Sequence, residues 1–591
     1  MTKTLVEAGL SSQGGQGAGA VEIRYDYEGQ GLKGLAVDRF DLSSGIFVHS
    51  LAAGLVREVE GFDGRLAWNS DVSGAVVSQP SGLAFRLAVN AAYRRAGMWY
   101  RPDRGGARVT PLARRIENGA TYDVLQVLPK GGDRFEAWFD RSTHQLYRIV
   151  EAMPYRTAMT TTYGDYRRVS GVIIPGKMTM DDGSGAEYAQ VYTLRSGRTV
   201  KRRGAAAYAA PRTSYVDAGF PPHQGSTTFP IRMVRNCIYG DVSVNGRGPF
   251  TFLFDGGGAD IVDPTLMEQL KLPIVGSVPG HGPGAGVVKT GYGSGINLGI
   301  GGLSLRRQTV HVLDVTEPSL EVVRPVGVIG NEVSRRFVTR IDYGAEIMSL
   351  IAPERFDPRS AGTPVPFEFY GHIPLVRGTF EGHPARFAID TGSCQELTLM
   401  KRFVDAKGLI ESHPVRVNTT GGGSGVGGAI ALSVVDGRAM TLGKIEVKHV
   451  VTELSRSVKG GFGVADFEGN VGSRLLKRFV VTFDYARRVM YLKPAVGRIS
   501  DIGTYDRSGM TIRRAPEGFV VAGLVPGGPA TMAGIQVGEY VTAVDGAAAS
   551  AIPTLELRER LRNSPTESKV TFSLKNASGT RNVTIVLKDL I

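Results

Sequence analysis

The sequence predicts a mainly β protein built from three folded parts, and three observations carry that expectation. Its 591 residues include 79 Gly and 30 Pro, a density of turn formers that favours strands over helical bundles. Apolar and polar residues alternate over many short stretches; in Val21-Glu22-Ile23-Arg24-Tyr25-Asp26-Tyr27 the odd-numbered side chains share one strand face. A pattern of apolar runs, aspartates and glycines also occurs twice between residues 226 and 496. The chain exceeds the roughly 250–300 residues at which single cores stop growing, so several domains are expected.

Residues 1–20 are rich in Gly, Ser and Gln and are expected to be a disordered tail. From 21 to 200 the pattern is mostly strands with turn punctuation. Phe135-Glu136-Ala137-Trp138-Phe139 repeats the alternation, and one amphipathic helix is expected around Leu83–Gly97. All three tryptophans, Trp68, Trp99 and Trp138, fall in this part and are assigned to its core. A curved antiparallel sheet with one helix loosely resembles the half-barrel of lipoprotein carriers, and no catalytic constellation is visible in it. Residues 201–225, rich in Ala, Pro and Arg, read as a linker.

Bulk composition narrows the function classes. Apolar content of 42% and charged content of 21% describe a folded chain. The net charge of +13 is scattered, with its densest cluster, Lys201-Arg202-Arg203, in the linker. No zinc-finger, RNA-binding or helix-turn-helix signature accompanies it, so a solvated basic surface is expected and no nucleic-acid partner. No apolar run approaches the roughly 18–20 residues of a membrane-spanning helix. The first residues lack the apolar segment of a signal peptide; the chain is either cytoplasmic or has lost a signal. Cys237 and Cys394 allow one bridge or two free thiols. His-Glu-x-x-His, Cys/His clusters and Gly-x-Ser-x-Gly are absent from the sequence, so no metal and no cofactor are expected.

The repeat gives the aspartates their interest. Asp255 follows the apolar run Thr251–Phe254, and Asp390 follows Phe387-Ala388-Ile389. Downstream, Gly330 matches Gly472, Phe337 matches Phe479, Asp342 matches Asp484, Tyr343 matches Tyr485 and Met348 matches Met490, always 142 positions apart. Two copies of one lobe, at 226–357 and 363–496, are therefore expected. One carboxyl per lobe at a strand-to-turn junction can meet its twin across a pseudo-two-fold axis. Two carboxyls that close share a proton, and the pair can then activate a water and protonate a carbonyl. Asp342 and Asp484 fit a hairpin-turn role instead.

Asp390-Thr391-Gly392-Ser393, the doubled lobe and the closing elements Val328-Ile329-Gly330 and Asn470-Val471-Gly472 resemble the aspartic proteases of the retropepsin and pepsin-like type. Bacterial tandem forms with a C-terminal PDZ domain are the nearest likeness. The resemblance implies peptide or protein substrates, Asp255 and Asp390 as the catalytic pair, and Thr391, Gly392, Ser393, Gly256, Gly257, Gly330 and Gly472 as its support. It also implies a periplasmic or otherwise extracytoplasmic location after removal of a signal peptide. One departure stands out: lobe one reads Asp255-Gly256-Gly257-Gly258, so the family's hydroxyl after the aspartate is missing. By position, the Gly-rich stretches 280–295 and 419–432 correspond to the family's flaps, with Tyr292, Gly293, Gly423 and Gly425 as candidates. Gly423-x-Gly425-x-x-Gly428 also matches a dinucleotide fingerprint, but the following Ala429–Val435 reads as strand rather than the required helix.

Beyond residue 503, Gly527-Gly528-Pro529-Ala530, Ala533-Gly534-Ile535, Gly538 and Asp545-Gly546 resemble a bacterial PDZ domain, with a helix expected near Ile552–Arg562. The resemblance implies a site for a peptide C-terminus, assigned to Glu517, Gly518, Phe519 and Val520. The expected fold is thus an N-terminal antiparallel β half-barrel-like domain, a two-lobed pepsin/retropepsin-like β domain and a C-terminal PDZ domain at 503–591. The expected activity is an aspartic endopeptidase whose PDZ domain recruits or gates substrate. Two rivals are a pseudoprotease that binds peptides without cutting them and a lipid or lipoprotein carrier.

Overall fold

A computed structural model of the chain describes residues 18–153, 156–211, 217–315, 323–414, 416–464, 467–497 and 503–591. Alternation in the first part becomes one large antiparallel sheet. The strand Ala18–Gly29 pairs with Leu32–Asp41 on one side and with Gln190–Lys201 on the other. Val21, Ile23, Tyr25 and Tyr27 point into the core, as their spacing requires. Residues 18–20 belong to this strand rather than to the tail; residues 1–17 lie outside the described residues. The helix Gly82–Arg95 buries Ala88 and Ala92 in the same apolar cluster and Tyr93 in a second one. All three tryptophans are buried.

The stretch read as a linker is tied down at several points. Tyr208 is 1% exposed, and its carbonyl accepts the Nε1–H of Trp68 at 2.8 Å. Ala218 and Gly219 form a short strand against Leu305 and Ser304. Arg202 pairs with Asp41, so part of the basic cluster is committed to the first domain. Residues 212–216 of this stretch lie outside the described residues.

The two repeats form two lobes joined by a shared sheet. In lobe one, Ser226–Val234 pairs with Ile347–Ile351, which pairs with Val338–Asp342; in lobe two, Thr363–Tyr370 pairs with Val489–Pro494, which pairs with Phe479–Asp484. The lobes join where Val338–Asp342 pairs antiparallel with Phe479–Asp484. Arg340 there sits opposite Thr482, its own counterpart in the repeat, so a pseudo-two-fold axis passes through this pair. Asp342 accepts the N–H of Ala345 and Asp484 that of Arg487, the turn role expected for both. A disulfide between Cys237 and Cys394 also joins the lobes.

The C-terminal part is a separate sheet, with the helix Thr554–Asn563 packed on it through Leu557 and Leu561. Its Tyr505, Val525, Leu590 and Ile591 cover Val417, Val434 and Val451 of lobe two. Among the described residues, no helix is long and apolar enough to cross a membrane.

Candidate functional site

Each lobe delivers its aspartate in the same way. The strand Arg247–Phe254 sinks Phe252 and Phe254 into the core, and His383–Asp390 does so with Phe387 and Ile389. Each is flanked by a parallel strand from the closing element: Phe254 sits opposite Ile329, and Asp390 opposite Gly472. Apolar side chains fix the strands, so the chain emerges at the carboxylate where the ladder ends. A Gly turn then folds back beneath it, with Gly257 and Gly258 donating to Asp255 Oδ1 at 2.8 and 2.9 Å and Gly392 donating to Asp390 Oδ1 at 3.0 Å.

The two carboxyls come together in one chain. A Cβ on Gly257 would lie 2.4 Å from Asp390 Oδ1 and 3.3 Å from Asp255 Oδ1. The two oxygens are therefore within the about 6 Å over which carboxylates couple strongly. Gly392 is the mirror case, since a Cβ there would collide with the Asp255 carboxyl at 2.1 Å. Glycine at the second position after each aspartate is thus required by the close approach of the opposite carboxyl. Burial, the charge of Asp390 and a hydrogen bond with it push Asp255 up to about 8, against the lowering effect of its two backbone N–H donors. Asp255 therefore keeps its proton at neutral pH.

Gly256 makes the support one-sided. Thr391 Oγ1 accepts the Gly256 N–H at 2.7 Å and donates to the Phe254 carbonyl at 3.5 Å. A glycine cannot return the symmetry-related bonds. Beneath it lies a cavity of about 20 Å³ lined by Asp255, Gly256, Ser334, Thr339, Thr391 and Tyr485 among others. The backbone of Gly256 is not left-handed, and a Cβ would meet Thr391 Oγ1 at 3.3 Å and Tyr485 Oη at 3.7 Å. The position therefore accepts a small side chain if Thr391 yields slightly. We expect Gly256→Ser to stabilise the chain by about 0.4–1 kcal/mol through reduced freedom of the unfolded state, and to raise any turnover. A fall in both melting temperature and turnover would mean that the one-sided support is the better one.

The flap candidates separate into two groups. Tyr292 is 5% exposed and belongs to the apolar cluster of the N-terminal domain, with its ring against His311. It is therefore not an exposed aromatic on its hairpin. Its hairpin is held by the first domain, with Ser277 N–H donating to the Gln30 carbonyl at 2.6 Å and His281 contacting Ser184 and Asp182. One lobe read in isolation cannot reveal a neighbouring domain that offers an apolar seat. Gly293 packs against Met267, away from the tip. Gly423 and Gly425 do lie near the tip of the second hairpin. There the two hairpins meet: Gly284 and Gly286 donate to the carbonyls of Val426 and Gly427 at 2.9 and 2.7 Å.

In the C-terminal unit the assigned peptide site also moves. Phe519 and Val520 lie on the strand Gly518–Leu524, which pairs with Met510–Ala515 on one side and Tyr540–Val544 on the other. A strand with both edges occupied cannot add a peptide. Phe519 is fully buried in the core, and Glu517, in the hairpin turn, pairs with Lys575. Among the described residues, Met510–Ala515 pairs on one side only, and the helix Thr554–Asn563 lies beside it with Arg558 donating to the Ile512 carbonyl at 2.8 Å. That strand and helix frame the groove.

Three residues that hold the site were not singled out by sequence. Asn470, which opens the closing element of lobe two, is 4% exposed and donates to Asp390 Oδ2 at 3.1 Å. A polar residue where lobe one has Val328 was the available signal. Asn331 donates to the Gly258 carbonyl at 2.6 Å, and His372 contacts the Gly257 carbonyl at 2.8 Å. Gly330 and Gly472 sit against the backbone of the two aspartate loops, where a Cβ would meet Ala259 or Ser393. Ser393 accepts the Ser473 N–H through its carbonyl.

Comparison with known proteins supports one part of the chain directly. Residues 499–575 match the family model of the PDZ domain. The chain therefore carries a PDZ domain at its C-terminal end, a module that binds peptide ends. No curated protein matches the chain. Similar solved structures include a LolA superfamily protein from Nitrosomonas europaea, 12% identical over 35% of this chain and 97% of that one, with a TM-score of 0.25. Basic 7S globulin from soybean is 12% identical over 46% of this chain and 96% of its own, with a TM-score of 0.28. A photosystem II D1 C-terminal processing protease is 25% identical over 15% of this chain and 24% of its own, with a TM-score of 0.14. At TM-scores this low, no conclusion about this chain rests on them.

Proposed function

We propose that the protein is an aspartic endopeptidase whose substrates are recruited or gated by its PDZ domain. The observation that carries this reading is the meeting of Asp255 and Asp390, one from each lobe, in a buried site where Asp255 keeps its proton at neutral pH. One carboxyl takes a proton from a water lying between the pair and the peptide, and the other donates to the scissile carbonyl oxygen. Both hydrogen-bond networks serve this by fixing the carboxyls before substrate arrives. Hydrolysis of an unfolded protein by the intact chain, assayed at acidic and neutral pH, tests the reading; no cleavage at either pH would remove it.

The disulfide between Cys237 and Cys394 favours an oxidising, extracytoplasmic compartment. A second reading, a peptide-binding protein without turnover, is favoured by the one-sided support at Gly256 and by hairpin tips that are bonded to each other. Binding of an extended peptide with no cleavage would select it.

If the PDZ domain recruits, removing residues 503–591 raises KM for protein substrates and leaves short-peptide kcat nearly unchanged, because uniform binding is lost while the aspartates are not touched. The truncation uncovers Val417, Val434 and Val451, so these are made polar in the same variant. Loss of short-peptide cleavage from a folded truncation would place the PDZ domain in the active architecture.

A further inference from the structure

His372 lies in the turn between the strands Thr363–Tyr370 and Ile373–Phe380 of lobe two, and its Nε2 is 2.8 Å from the Gly257 carbonyl of lobe one. A carbonyl only accepts, so Nε2 carries the hydrogen and donates. Burial pulls the imidazole below its ordinary range, opposed by the bond to Gly257, with Arg335, Glu332, Asp390 and His311 also facing it. Burial therefore favours the neutral ring, whose Nε2–H still donates this bond.

Gly257 is the residue on which this contact has consequences. Its N–H donates to Asp255 Oδ1, and its carbonyl, held by His372, shares a peptide unit with the Gly258 N–H, which donates to the same oxygen at 2.9 Å. Displacing that peptide unit displaces an anchor of the carboxylate. The turn that presents His372 is itself braced by the N-terminal domain: Gln79 donates to the Gly371 carbonyl at 3.1 Å, and Leu83 packs with Tyr370 and Ile373. Lobe two thus reaches into the lobe-one loop with two side chains, Thr391 and His372, whereas Gly256 offers none in return.

We propose that His372 is a positioning residue: its Nε2–H, presented by a turn that the N-terminal domain braces, holds Gly257 and so sets Asp255 opposite Asp390 in place of the missing hydroxyl at position 256. The proposal rests on the protease reading for its kinetic consequence and on the hydrogen bond alone for its structural one.

Two variants of the full chain test it. His372→Leu removes the donor, and His372→Gln keeps an N–H donor at a similar reach. For a short peptide, H372L should lower kcat by about 10–100-fold, the cost of a misplaced reacting group, with KM within about twofold, and H372Q should recover most of the loss. Amide exchange is read in parallel and needs no activity. H372L should speed exchange at Gly257 and Gly258 by about tenfold through local opening, leave Gly392 unchanged, and be reversed by H372Q. Wild-type kcat and exchange in H372L, or equal damage in both variants, would overturn the proposal. If the intact chain cleaves nothing, the protease reading fails and the exchange pattern alone decides His372.

Discussion

Asp390→Asn lowers hydrolysis of an unfolded protein by about 10²–10⁴-fold, the range contributed by a positioned acid or base, while the fold is retained. The amide still accepts the Gly392 N–H, and Asn470 can turn its own amide to pair with the new one. What is lost is the ability to share a proton with Asp255. Two pH measurements accompany this. Wild-type activity should fall about tenfold per pH unit above about 8, where Asp255 gives up its proton; in the variant the Coulomb push of Asp390 is gone and that limb moves to lower pH. Stability has the same sign. Between the unfolded value of about 3.9 and about 8 the native state holds a proton that the unfolded chain has released, so stability falls as pH rises, by at most about 1.4 kcal/mol per unit. Asp255→Asn should flatten that slope. Unchanged hydrolysis by Asp390→Asn would remove Asp390 from the chemistry.

The second large effect is expected from the disulfide. Cys237 opens the strand Cys237–Val244 of lobe one, and Cys394 follows the Asp390-Thr391-Gly392-Ser393 turn of lobe two, 157 residues later. A cross-link closing so long a loop restricts the unfolded chain strongly, and removing native bridges costs about 2–5 kcal/mol. In the double variant Cys237→Ser/Cys394→Ser we expect the transition of the two-lobed unit to drop by about 5–15 °C. Because the chain has several domains, the relevant measurement is that transition, followed by a probe within the lobes, rather than one overall unfolding free energy. The bridge lies four residues from Asp390, so turnover should fall with stability. Unaltered melting in the double variant, or in the reduced wild type, would show that the shared sheet through Arg340 and Thr482 suffices to join the lobes.

How much of this was legible in the sequence depends on the range over which each signal acts. The strand faces at Val21–Tyr27, the helix now seen at Gly82–Arg95 and the paired lobes could be read because alternation, helical spacing and repetition are properties of neighbouring residues. The meeting of Asp255 and Asp390 could be expected because repetition carries symmetry with it. Tyr292 defeated the same logic. The repeat placed it on a hairpin, but its side chain is turned by an apolar surface contributed from residues 18–201, which the repeat does not contain. Glu517 to Val520 failed for a related reason: a Gly-Phe pair beside a strand reads alike in a central and an edge strand, and only pairing on both sides tells them apart.

By itself the sequence determined the local elements, the duplication, the Asp-x-Gly turns and the PDZ module, because each is encoded in side-chain type and spacing along the chain. Only the tertiary structure decided which surfaces face each other. It brought Cys237 to Cys394, set Asn470 against Asp390 and His372 against Gly257, and laid the N-terminal domain on the first hairpin. These contacts join residues distant in sequence, and their partners are selected by burial and hydrogen-bond satisfaction over the whole fold, which no short window of residues specifies.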